Sequence, residues 1–374
     1  MHLQFVLLLV QPSPVAAWTT ASAALYRPRY SSRMRIATQP RQPASLNGSA
    51  TKKPAKAKSG SGQADLARGR QPTATAIQSP SSGTPPAPLR TNPAVGYNAA
   101  AKLALLRRGK RASHDELLLD FSGLPTRVEL RSAGKLLLQG QWNWQSTSSG
   151  RALTPQGEWH EVGWHQEKSC DFLEIELPLS HGFKLERQVF FARNELILFL
   201  ADCLIGPTDV TTSEIHHHQS FSLASNATFA AAAETREGWL CADGRRQATV
   251  VPLAQTEWRS DFCHADLVAK GEQLTVDQAV HGHALCSPIW IDLNPRRLRR
   301  PLTWRRLTVG EGLTSISRDR AVGYRVQVGD EQWLVYRSLA PVANRSVMGH
   351  NTFGSFLCGT VKPDGSIKEI LTME

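Results

Sequence analysis

Two histidine clusters have the residue types and spacing for metal chemistry. Three consecutive histidines occupy positions 216–218, and His281 and His283 are separated by one glycine. On a β-strand, residues two apart lie on the same face, so His216 would pair with His218 and His281 with His283. Imidazoles combined with a carboxylate are the ligands of many zinc sites. The alternative is that these histidines are solvated or hydrogen-bonded residues of a surface strand.

A second candidate site is the arginine-rich segment 295–306, which holds six arginines. Guanidinium groups pair bidentately with carboxylates and sulfates, and an indole ring can stack on a sugar. The pattern therefore predicts a ligand site for an acidic polysaccharide. Its predicted residues are Arg296, Arg297, Arg299, Arg300, Trp304 and Arg305. The alternative is a solvated loop, or arginines paired with the Glu and Asp of the fold.

The charge of the chain is unevenly distributed. The formal net charge is +11, but residues 1–114 contain 17 of the 43 Lys and Arg and only one of the 32 Asp and Glu. The remaining residues are therefore acidic overall. The high isoelectric point belongs to the N-terminal segment, so we predict no nucleic-acid binding by the folded part.

The N-terminus carries a weak resemblance to a secretion signal. Residues 2–10 are mostly apolar, and Val15-Ala16-Ala17 is typical of a cleavage site, although the first residues contain no Lys or Arg. The apolar run is far shorter than the ~20 residues of a membrane span. We expect no transmembrane segment, and a chain that is exported to the cell envelope or stays cytoplasmic.

The next segment predicts a disordered, basic tail. Pro, Ser, Ala, Gly, Thr and Gln dominate residues 27–99, and so few large apolar side chains cannot offset chain entropy. Residues 99–111 (AAAKLALLRRGKR) could form a short basic helix, which would be a polyanion-binding arm or a solvated linker. We therefore place the leader and tail at 1–114 and the folded domain at 115–374.

The sequence of the folded domain predicts an all-β structure organised around residues 185–205. In that stretch residues 185, 187, 189 and 191 alternate against 186, 188 and 190, and residues 196–200 form an apolar run of strand length. Asn194 in the connection tolerates a positive φ. A strand buried on both faces needs a second layer. Further strands are predicted at 116–120, 127–130, 135–141, 171–177, 220–223, 249–253, 285–293, 305–309, 323–328, 332–337 and 355–361. These features predict a large antiparallel β-sandwich of the supersandwich type.

The order of motifs in this domain resembles the C-terminal β-sandwich of heparinase II/III-like polysaccharide lyases. The resemblance lies in Trp-x-Trp at 142–144, His-Glu-Val-x-Trp at 160–164, the Leu-Glu-Arg-Gln-Val-Phe-Phe-Ala-Arg strand at 185–193 and the following strand that ends at Asp202. It covers about residues 115–374. In this family the main catalytic residues lie on an N-terminal α/α toroid, and here that position holds the predicted tail.

The resemblance implies both a metal and a function. The family's sandwich holds a structural zinc bound by His and Asp, so Asp202, His216 and His218 are the candidate ligands by likeness. A sandwich without its toroid implies a non-catalytic protein that binds or organises an acidic polysaccharide. The alternative is a small carbohydrate-active enzyme, a lyase or epimerase, on the concave face of one sheet. A groove with converging His, Tyr and Arg would favour the enzyme, with Tyr324 or Tyr336 as a candidate base.

The aromatic and sulfur residues give weaker signals. Of the ten tryptophans, Trp142, Trp144, Trp159 and Trp164 are predicted core residues, and Trp304 and Trp333 are the better candidates for exposed sugar platforms. The six cysteines lack a C-x-x-C pair, so buried free thiols are expected, with three disulfides as the alternative in an exported chain. The chain has no G-x-S-x-G, phosphate-loop or dinucleotide-binding motif. Oligomeric state is left open.

Overall fold

The computed structural model describes residues 96–109, 115–208 and 212–374. In these ranges there is no α-helix, and the one helical element is a single 3-10 turn at Ser180–Gly182. The strands are β1 Gly96–Asn98, β2 Leu103–Arg107, β3 Glu116–Asp120, β4 Thr126–Ser132, β5 Lys135–Ser148, β6 Arg151–Ala152, β7 His160–Gln166, β8 Cys170–Pro178, β9 Lys184–Ala192, β10 Ile197–Ile205, β11 Ser213–Leu223, β12 Ala227–Ala231, β13 Gly238–Ala242, β14 Arg245–Pro252, β15 Ala265–Lys270, β16 Gln273–Gly282, β17 Ala284–Asp292, β18 Leu302–Leu307, β19 Val309–Glu311, β20 Thr314–Ser315, β21 Ala321–Val328, β22 Glu331–Ser338, β23 Arg345–Val347, β24 His350–Thr352, β25 Phe356–Val361 and β26 Ile367–Met373.

These strands form four antiparallel sheets. Sheet 1 has the order β1-β2-β3-β4-β5-β11-β16-β15, with β6 paired to β5, and sheet 2 has the order β12-β13-β14-β17-β10-β9-β8-β7. Sheet 3 has the order β18-β21-β22-β25-β26, and sheet 4 has the order β20-β19-β23-β24. The all-β sandwich predicted from the sequence is therefore confirmed, and two further sheets extend it.

The hydrophobic clusters show that the sheets are stacked in layers. One cluster contains residues of sheets 1 and 2, a second contains residues of sheets 2 and 3, and a third contains residues of sheets 3 and 4. Sheet 2 is thus covered on both faces. A sheet in this position needs apolar residues at nearly every position of its central strands, as β10 and β17 have.

The hairpin of β9 and β10 lies at the centre of sheet 2, as predicted. Its register pairs Phe199 with Phe190 and Asp202 with Arg187. Val189 belongs to the cluster toward sheet 1, whereas Phe190 belongs to the cluster toward sheet 3, so period-two alternation divides the strand between two cores. The connection spans 193–196, and its positive φ of 55° is at Leu196 rather than at Asn194.

Two expectations about the N-terminal part are corrected. The described part of the 99–111 segment forms a strand, β2, and not a helix, because Ala104 and Leu106 alternate into the core of sheet 1. Strand β2 pairs with β1 on one side and with β3 on the other. Within the described residues, the sheet therefore already includes strands at 96–98 and 103–107, ahead of the predicted boundary at 115. The leader and the rest of the predicted tail lie outside the described residues.

Within the described ranges, no helix could cross a membrane.

Candidate functional site

The structure does not bring the predicted zinc ligands Asp202, His216 and His218 together. Asp202 is fully buried between sheets 1 and 2, where Arg187 Nε and Nη2 donate to its two oxygens at 2.7 and 2.8 Å. His216 is exposed beside Glu214, and His218 Nδ1 lies 2.6 Å from Asp277. The prediction of this ligand set is wrong because the two histidines lie on the outer face of β11.

His217, on the opposite face of β11, is the histidine that reaches Asp202. Its Nε2 lies 3.3 Å from Asp202 Oδ2, and its Nδ1 lies 2.8 Å from the Ser146 hydroxyl. The Arg187 guanidinium lies over the Trp142 ring, with its Cζ 3.9 Å from the ring centroid. The positive charge that pairs with Asp202 is therefore the Arg187 guanidinium.

The charge balance around Asp202 is that of a structural ion pair. Burial raises the pKa of the Asp202 carboxyl, but the attraction of Arg187 and its hydrogen bonds outweigh burial, and the net pKa lies below its ordinary value. The described residues contain no group of three or more His, Cys, Asp or Glu that could hold a metal ion. Zinc binding elsewhere stays a prediction, which metal analysis of the purified full chain would test.

The fold places the arginines and the tryptophan of the predicted ligand site in different environments. Arg297 is buried, donates to both oxygens of Asp292 at 2.8 and 2.9 Å, and reaches Glu331 at 2.8 Å. Trp304 is 1% exposed and donates from Nε1 to the Gln255 carbonyl at 3.0 Å. Both residues therefore have structural partners. Trp304 also lines the smaller hollow described below, and Arg297 lines a separate pocket with Arg300, so their contact with a ligand stays a prediction.

The other predicted arginines are exposed but do not converge. Arg300 lies 3.6 Å from Glu331, and Arg296 and Arg299 lie in the loop before β18. Only Arg305 lies beside the groove described below. Trp333, the second predicted sugar platform, is 1% exposed and packs in the core. The core assignments of Trp142 and Trp159 are confirmed, and Trp144 and Trp164 pack against the same core.

A cavity lies where the β15–β16 edge of sheet 1 meets β17, β21 and the segments 254–264 and 316–319. Its volume is about 700 Å³. The polar side chains that line it are Thr256, Cys263, His264, Gln278, His281, Cys286, Arg306, Ser317, Arg318, Asp319 and Tyr324. We call it the arginine cavity.

Two arginines without ion-pair partners in the described ranges line this cavity. Arg306 and Arg318 form neither a salt bridge nor a side-chain hydrogen bond with any described residue, and both stay in contact with solvent. Partial burial and the repulsion of Arg318 lower the pKa of the Arg306 guanidinium. An anion bound between the two groups would relieve that repulsion and form charge-assisted hydrogen bonds.

Gly282 and Asp319 hold the Arg318 segment against sheet 1. Asp319 Oδ2 accepts a hydrogen bond from the His283 amide at 3.0 Å, and Ser317 donates to the other oxygen. A Cβ atom at position 282 would lie 2.8 Å from Asp319 Cβ, so only glycine allows this approach. The His-Gly-His motif therefore places His281 at the cavity and fixes the loop that carries Arg318.

The cavity also collects His264, His281 and Tyr324. Tyr324 is 2% exposed, and burial raises its pKa well above the ordinary value. A tyrosine of this kind keeps its proton at neutral pH, so it can donate a hydrogen bond but cannot act as a tyrosinate base. The two exposed histidines are the groups there that could transfer a proton.

Two buried polar atoms of the cavity wall lack partners within the described part of the chain. They are Gln278 Oε1 and Thr256 Oγ1. Gln278 is held by a hydrogen bond from its Nε2 to the Cys286 carbonyl at 3.0 Å. Buried polar atoms are normally paired, so these two mark incompletely satisfied positions in the cavity wall.

A second hollow of about 330 Å³ adjoins the arginine cavity and shares Ala254, Thr256 and Arg306 with it. Its other lining residues include Glu257, Trp258, Asp261 and Arg305, and we call it the carboxylate hollow. Trp258 is 46% exposed. Because the two spaces adjoin and share these residues, we refer to them together as the groove.

Sequence reasoning found His281, Tyr324, Arg305 and Arg306 in candidate clusters but missed the other groove residues. Arg318 and His264 lie in loops with no recognisable motif, and Trp258 is a single tryptophan among ten. The Arg-Asp-Arg run at 318–320 indicates a polar loop. The neighbouring sequence does not indicate that this loop packs near segment 254–264.

All six cysteines are free thiols, as expected. Five are buried, and Cys263 is partly exposed at the arginine cavity. Cys203 and Cys286 face each other in register on β10 and β17 with their sulfurs 2.9 Å apart.

No protein-family model matches this chain, and the search of curated proteins gave no significant match. Solved structures do match. The heparan sulfate lyase HepC from Pedobacter heparinus matches with 11% identity and a TM-score of 0.44, covering 67% of this chain and 43% of that chain. A heparinase III gene product with methylated lysines matches with 13% identity and a TM-score of 0.45, covering 67% and 42%. Both matches are partial, and this chain spans less than half of the length of either structure.

Proposed function

We propose that this protein binds an acidic polysaccharide in the groove formed by the arginine cavity and the carboxylate hollow, and that its role is binding rather than catalysis. The observation that carries the proposal is the pair Arg306 and Arg318, which line one cavity without ion-pair partners among the described residues. By contrast, the buried arginines 187, 297 and 337 all pair with carboxylates. Cationic groups without partners favour an anionic ligand.

The size and polarity of the groove support a saccharide over a small inorganic anion. A cavity of about 700 Å³ is within the range of small-molecule sites, ~300–1,000 Å³. The polar side chains that line the cavity, among them Gln278, Thr256 and Ser317, suit the hydroxyl groups of a sugar. An exposed Trp258 beside them offers an aromatic face for a sugar ring.

Calorimetric titration of the full chain tests this proposal. The ligands would be heparin, hyaluronan and polygalacturonate, with neutral dextran as the control polysaccharide. We expect at least one acidic chain to bind and dextran not to bind. Arg306→Gln with Arg318→Gln should weaken binding by roughly tenfold or more, because each lost charge-assisted hydrogen bond is worth about 1.5–3 kcal/mol.

Arg299→Gln is the matched control, since Arg299 is exposed but lines neither part of the groove. It also removes one positive charge, so it reports the nonspecific effect of lowering the net charge of the protein. Equal weakening by the control and groove variants would overturn the proposal.

A lyase or epimerase is the second candidate, because His264, His281, Tyr324 and both arginines line one cavity. β-Elimination needs a base that removes the proton beside a carboxylate and a cation that stabilises the resulting charge. Arg306 and Arg318 fit the cation's role, and a histidine would have to be the base.

The ultraviolet absorbance of the unsaturated uronate product measures the elimination directly. Absorbance that grows with wild-type protein but not with His264→Ala or His281→Ala would favour the enzyme. No growth with any acidic polysaccharide that binds would favour the binding role.

A further inference from the structure

Two cysteines of the central sheet face each other across neighbouring strands. Cys203 on β10 and Cys286 on β17 are partners in the antiparallel register, and their sulfur atoms lie 2.9 Å apart. Directly opposite residues of an antiparallel pair have Cα atoms about 4.5–5.5 Å apart. That range falls within the roughly 4.4–6.8 Å that disulfides span. The two thiols can therefore be joined by a bond without a change in strand pairing.

Both side chains lie on the face of sheet 2 that packs against sheet 3. Cys203 and Cys286 belong to the same hydrophobic cluster as Val322 and Tyr324 of β21. A free cysteine behaves as a small apolar residue in such a core. Apolar packing accounts for each buried cysteine by itself, but it does not account for two sulfurs in direct contact on neighbouring strands.

The arginine cavity gives a small reagent access to one of the two thiols. Cys286 lines the cavity together with Val322 and Tyr324, which lie on the same side of sheet 2. Cys203 is 0% exposed. A reagent that enters the cavity would therefore meet Cys286 first, and Cys203 would react only with the product formed at Cys286.

The electrostatic surroundings agree with this order of reaction. Burial and the hydrogen bond to Cys286 raise the pKa of the Cys203 thiol well above its ordinary value, although the nearby Arg337 acts to lower it. Because the thiolate is the attacking form, Cys203 is a poor first nucleophile. The guanidinium groups of Arg306 and Arg318 line the cavity, and positive charge beside a cysteine favours its thiolate.

We infer that Cys203 and Cys286 form a redox-active dithiol, which a low-molecular-weight disulfide oxidises through the arginine cavity. The Cys286 thiolate attacks one sulfur of the reagent, breaks the reagent's disulfide bond and expels one half, which takes up the proton that Cys286 lost. The sulfur of Cys203 then attacks the sulfur of Cys286 and expels the second half, which takes up the proton of Cys203. One internal disulfide is formed, and the reagent is reduced to two thiols.

The disulfide would connect two central strands of sheet 2 and join positions that are 83 residues apart in the chain. A cross-link that closes a long loop stabilises a protein mainly by restricting its unfolded chain. The oxidised protein should therefore melt at a higher temperature than the reduced protein. This inference does not depend on the ligand proposed for the groove.

The test incubates the folded full chain with oxidised glutathione and uses the fully reduced protein as the reference. Linked peptides are identified by mass spectrometry after the remaining thiols have been alkylated in denaturant. We expect a peptide pair that joins Cys203 to Cys286, with the loss of two of the six free thiols. The melting temperature should rise by about 5 °C or more, and reduction should reverse the rise.

Three variants make the result specific. Cys286→Ala should abolish both the linked peptide and the rise in melting temperature. Cys241→Ala is the matched control, because Cys241 is also a buried thiol of sheet 2 and its loss should leave the linkage intact. Cys263→Ala removes the partly exposed thiol of the same cavity and should also leave the linkage intact.

Three outcomes would overturn the inference. They are a wild-type protein whose Cys203 and Cys286 are never linked, a disulfide that joins Cys286 to Cys263 instead, and a linkage that forms only after the protein has been denatured. If Cys286→Ala does not fold, the peptide map of the wild-type protein decides between these outcomes and the expected one. Failure of every acidic polysaccharide to bind would contradict the proposed function and leave this inference standing.

Discussion

At the residue scale, the interior charges of this protein are compensated by close partners. Arg187 pairs with Asp202 between sheets 1 and 2, and Arg337 pairs with Glu174 at 2.7 Å and with Glu186 between sheets 2 and 3. Burial raises the pKa of Glu174. At Glu186 burial also acts to raise the pKa, but the attraction and hydrogen bonds of Arg337 and Lys184 together outweigh it and lower the pKa of the carboxyl. Charged groups this deep are tolerated because each has an opposite charge within hydrogen-bond distance.

Asp202→Asn should strongly destabilise the protein. The change keeps the shape of the side chain but leaves Arg187, which is 0% exposed, without its counter-charge. Removing one member of a buried ion pair costs about 3–5 kcal/mol of unfolding free energy. Urea denaturation followed by tryptophan fluorescence measures it.

The matched control is Asp243→Asn, which removes an exposed carboxylate paired with Lys135 at 2.8 Å. It should hardly change the urea midpoint. Similar midpoints for the two variants would contradict the structural role of the Arg187 pair.

Asp171 should make the protein less stable as pH rises. Burial raises the pKa of its carboxyl from 3.8 to about 6, and Arg193 offsets only part of that effect. Between these two values the folded state binds more protons than the unfolded state, so the unfolding free energy falls with increasing pH. In Asp171→Asn this contribution disappears, and the stability profile measured from pH 4 to 7 should fall less than that of wild type. An unchanged profile would contradict the assignment.

At the element scale, the β9–β10 hairpin connects two cores. Its residues alternate between the cluster toward sheet 1 and the cluster toward sheet 3. Each strand therefore contributes to both layers, and a register shift of one residue would exchange the two sets of side chains.

Phe199→Ala should remove a large share of the stability of the second core. Phe199 is 1% exposed, and its ring centroid lies 5.6 Å from that of Phe356. Loss of a buried phenylalanine costs about 3–5 kcal/mol. Thermal and urea unfolding would measure the change, with Phe353→Ala as the control because Phe353 is 62% exposed. A cost below about 1 kcal/mol would mean that β10 is not buried on both faces.

Two truncations test where the sheet begins. Removing residues 1–95 should leave the melting temperature unchanged, since their composition offers little apolar surface for a core. Removing residues 1–110 also deletes β1 and β2, together with the fully buried Ala104 and Leu106. It should lower the melting temperature clearly. Equal melting of the two truncated proteins would contradict the pairing of β2 with β3.

At the scale of the whole molecule, the groove is assembled from segments far apart in the chain. His281 comes from the end of β16, Arg306 from β18, Arg318 from the loop before β21, and Trp258 from the loop after β14. Their positions depend on the stacking of sheet 3 against sheet 2 beside the free edge of sheet 1.

Gly282→Ala should weaken ligand binding more than it weakens the fold. The added Cβ would push Asp319 away from sheet 1 and displace the neighbouring Arg318. We expect several-fold weaker binding of an acidic polysaccharide with a small change in melting temperature. Gly163→Ala is the control, because a Cβ there meets no atom within 4 Å. Equal affinities of the two variants would show that the Asp319 contact does not position Arg318.

Much of the fold could be predicted from short stretches of sequence, whereas much of the candidate site could not. The central hairpin and most strands follow from period-two alternation and short apolar runs. Both patterns can be recognised within a stretch of a few residues. The start of the sheet was misplaced because β2 has the sequence Leu-Ala-Leu-Leu-Arg, which is also compatible with a short helix. The sequence could not predict which charged residues form ion pairs. Arg297 lies among other arginines in the sequence, but it is the one that pairs with Asp292.

The sequence alone determined that this is an all-β protein with a doubly buried hairpin, because alternation and apolar runs act within a few residues. The tertiary structure decided that His217 and not His216 or His218 meets Asp202, that Arg187 and Arg297 are bound internally, and that Arg306 and Arg318 share a cavity. Those outcomes depend on which sheet packs against which face. Charge pairing acts through space over a few ångströms, and distance along the chain carries little information about it.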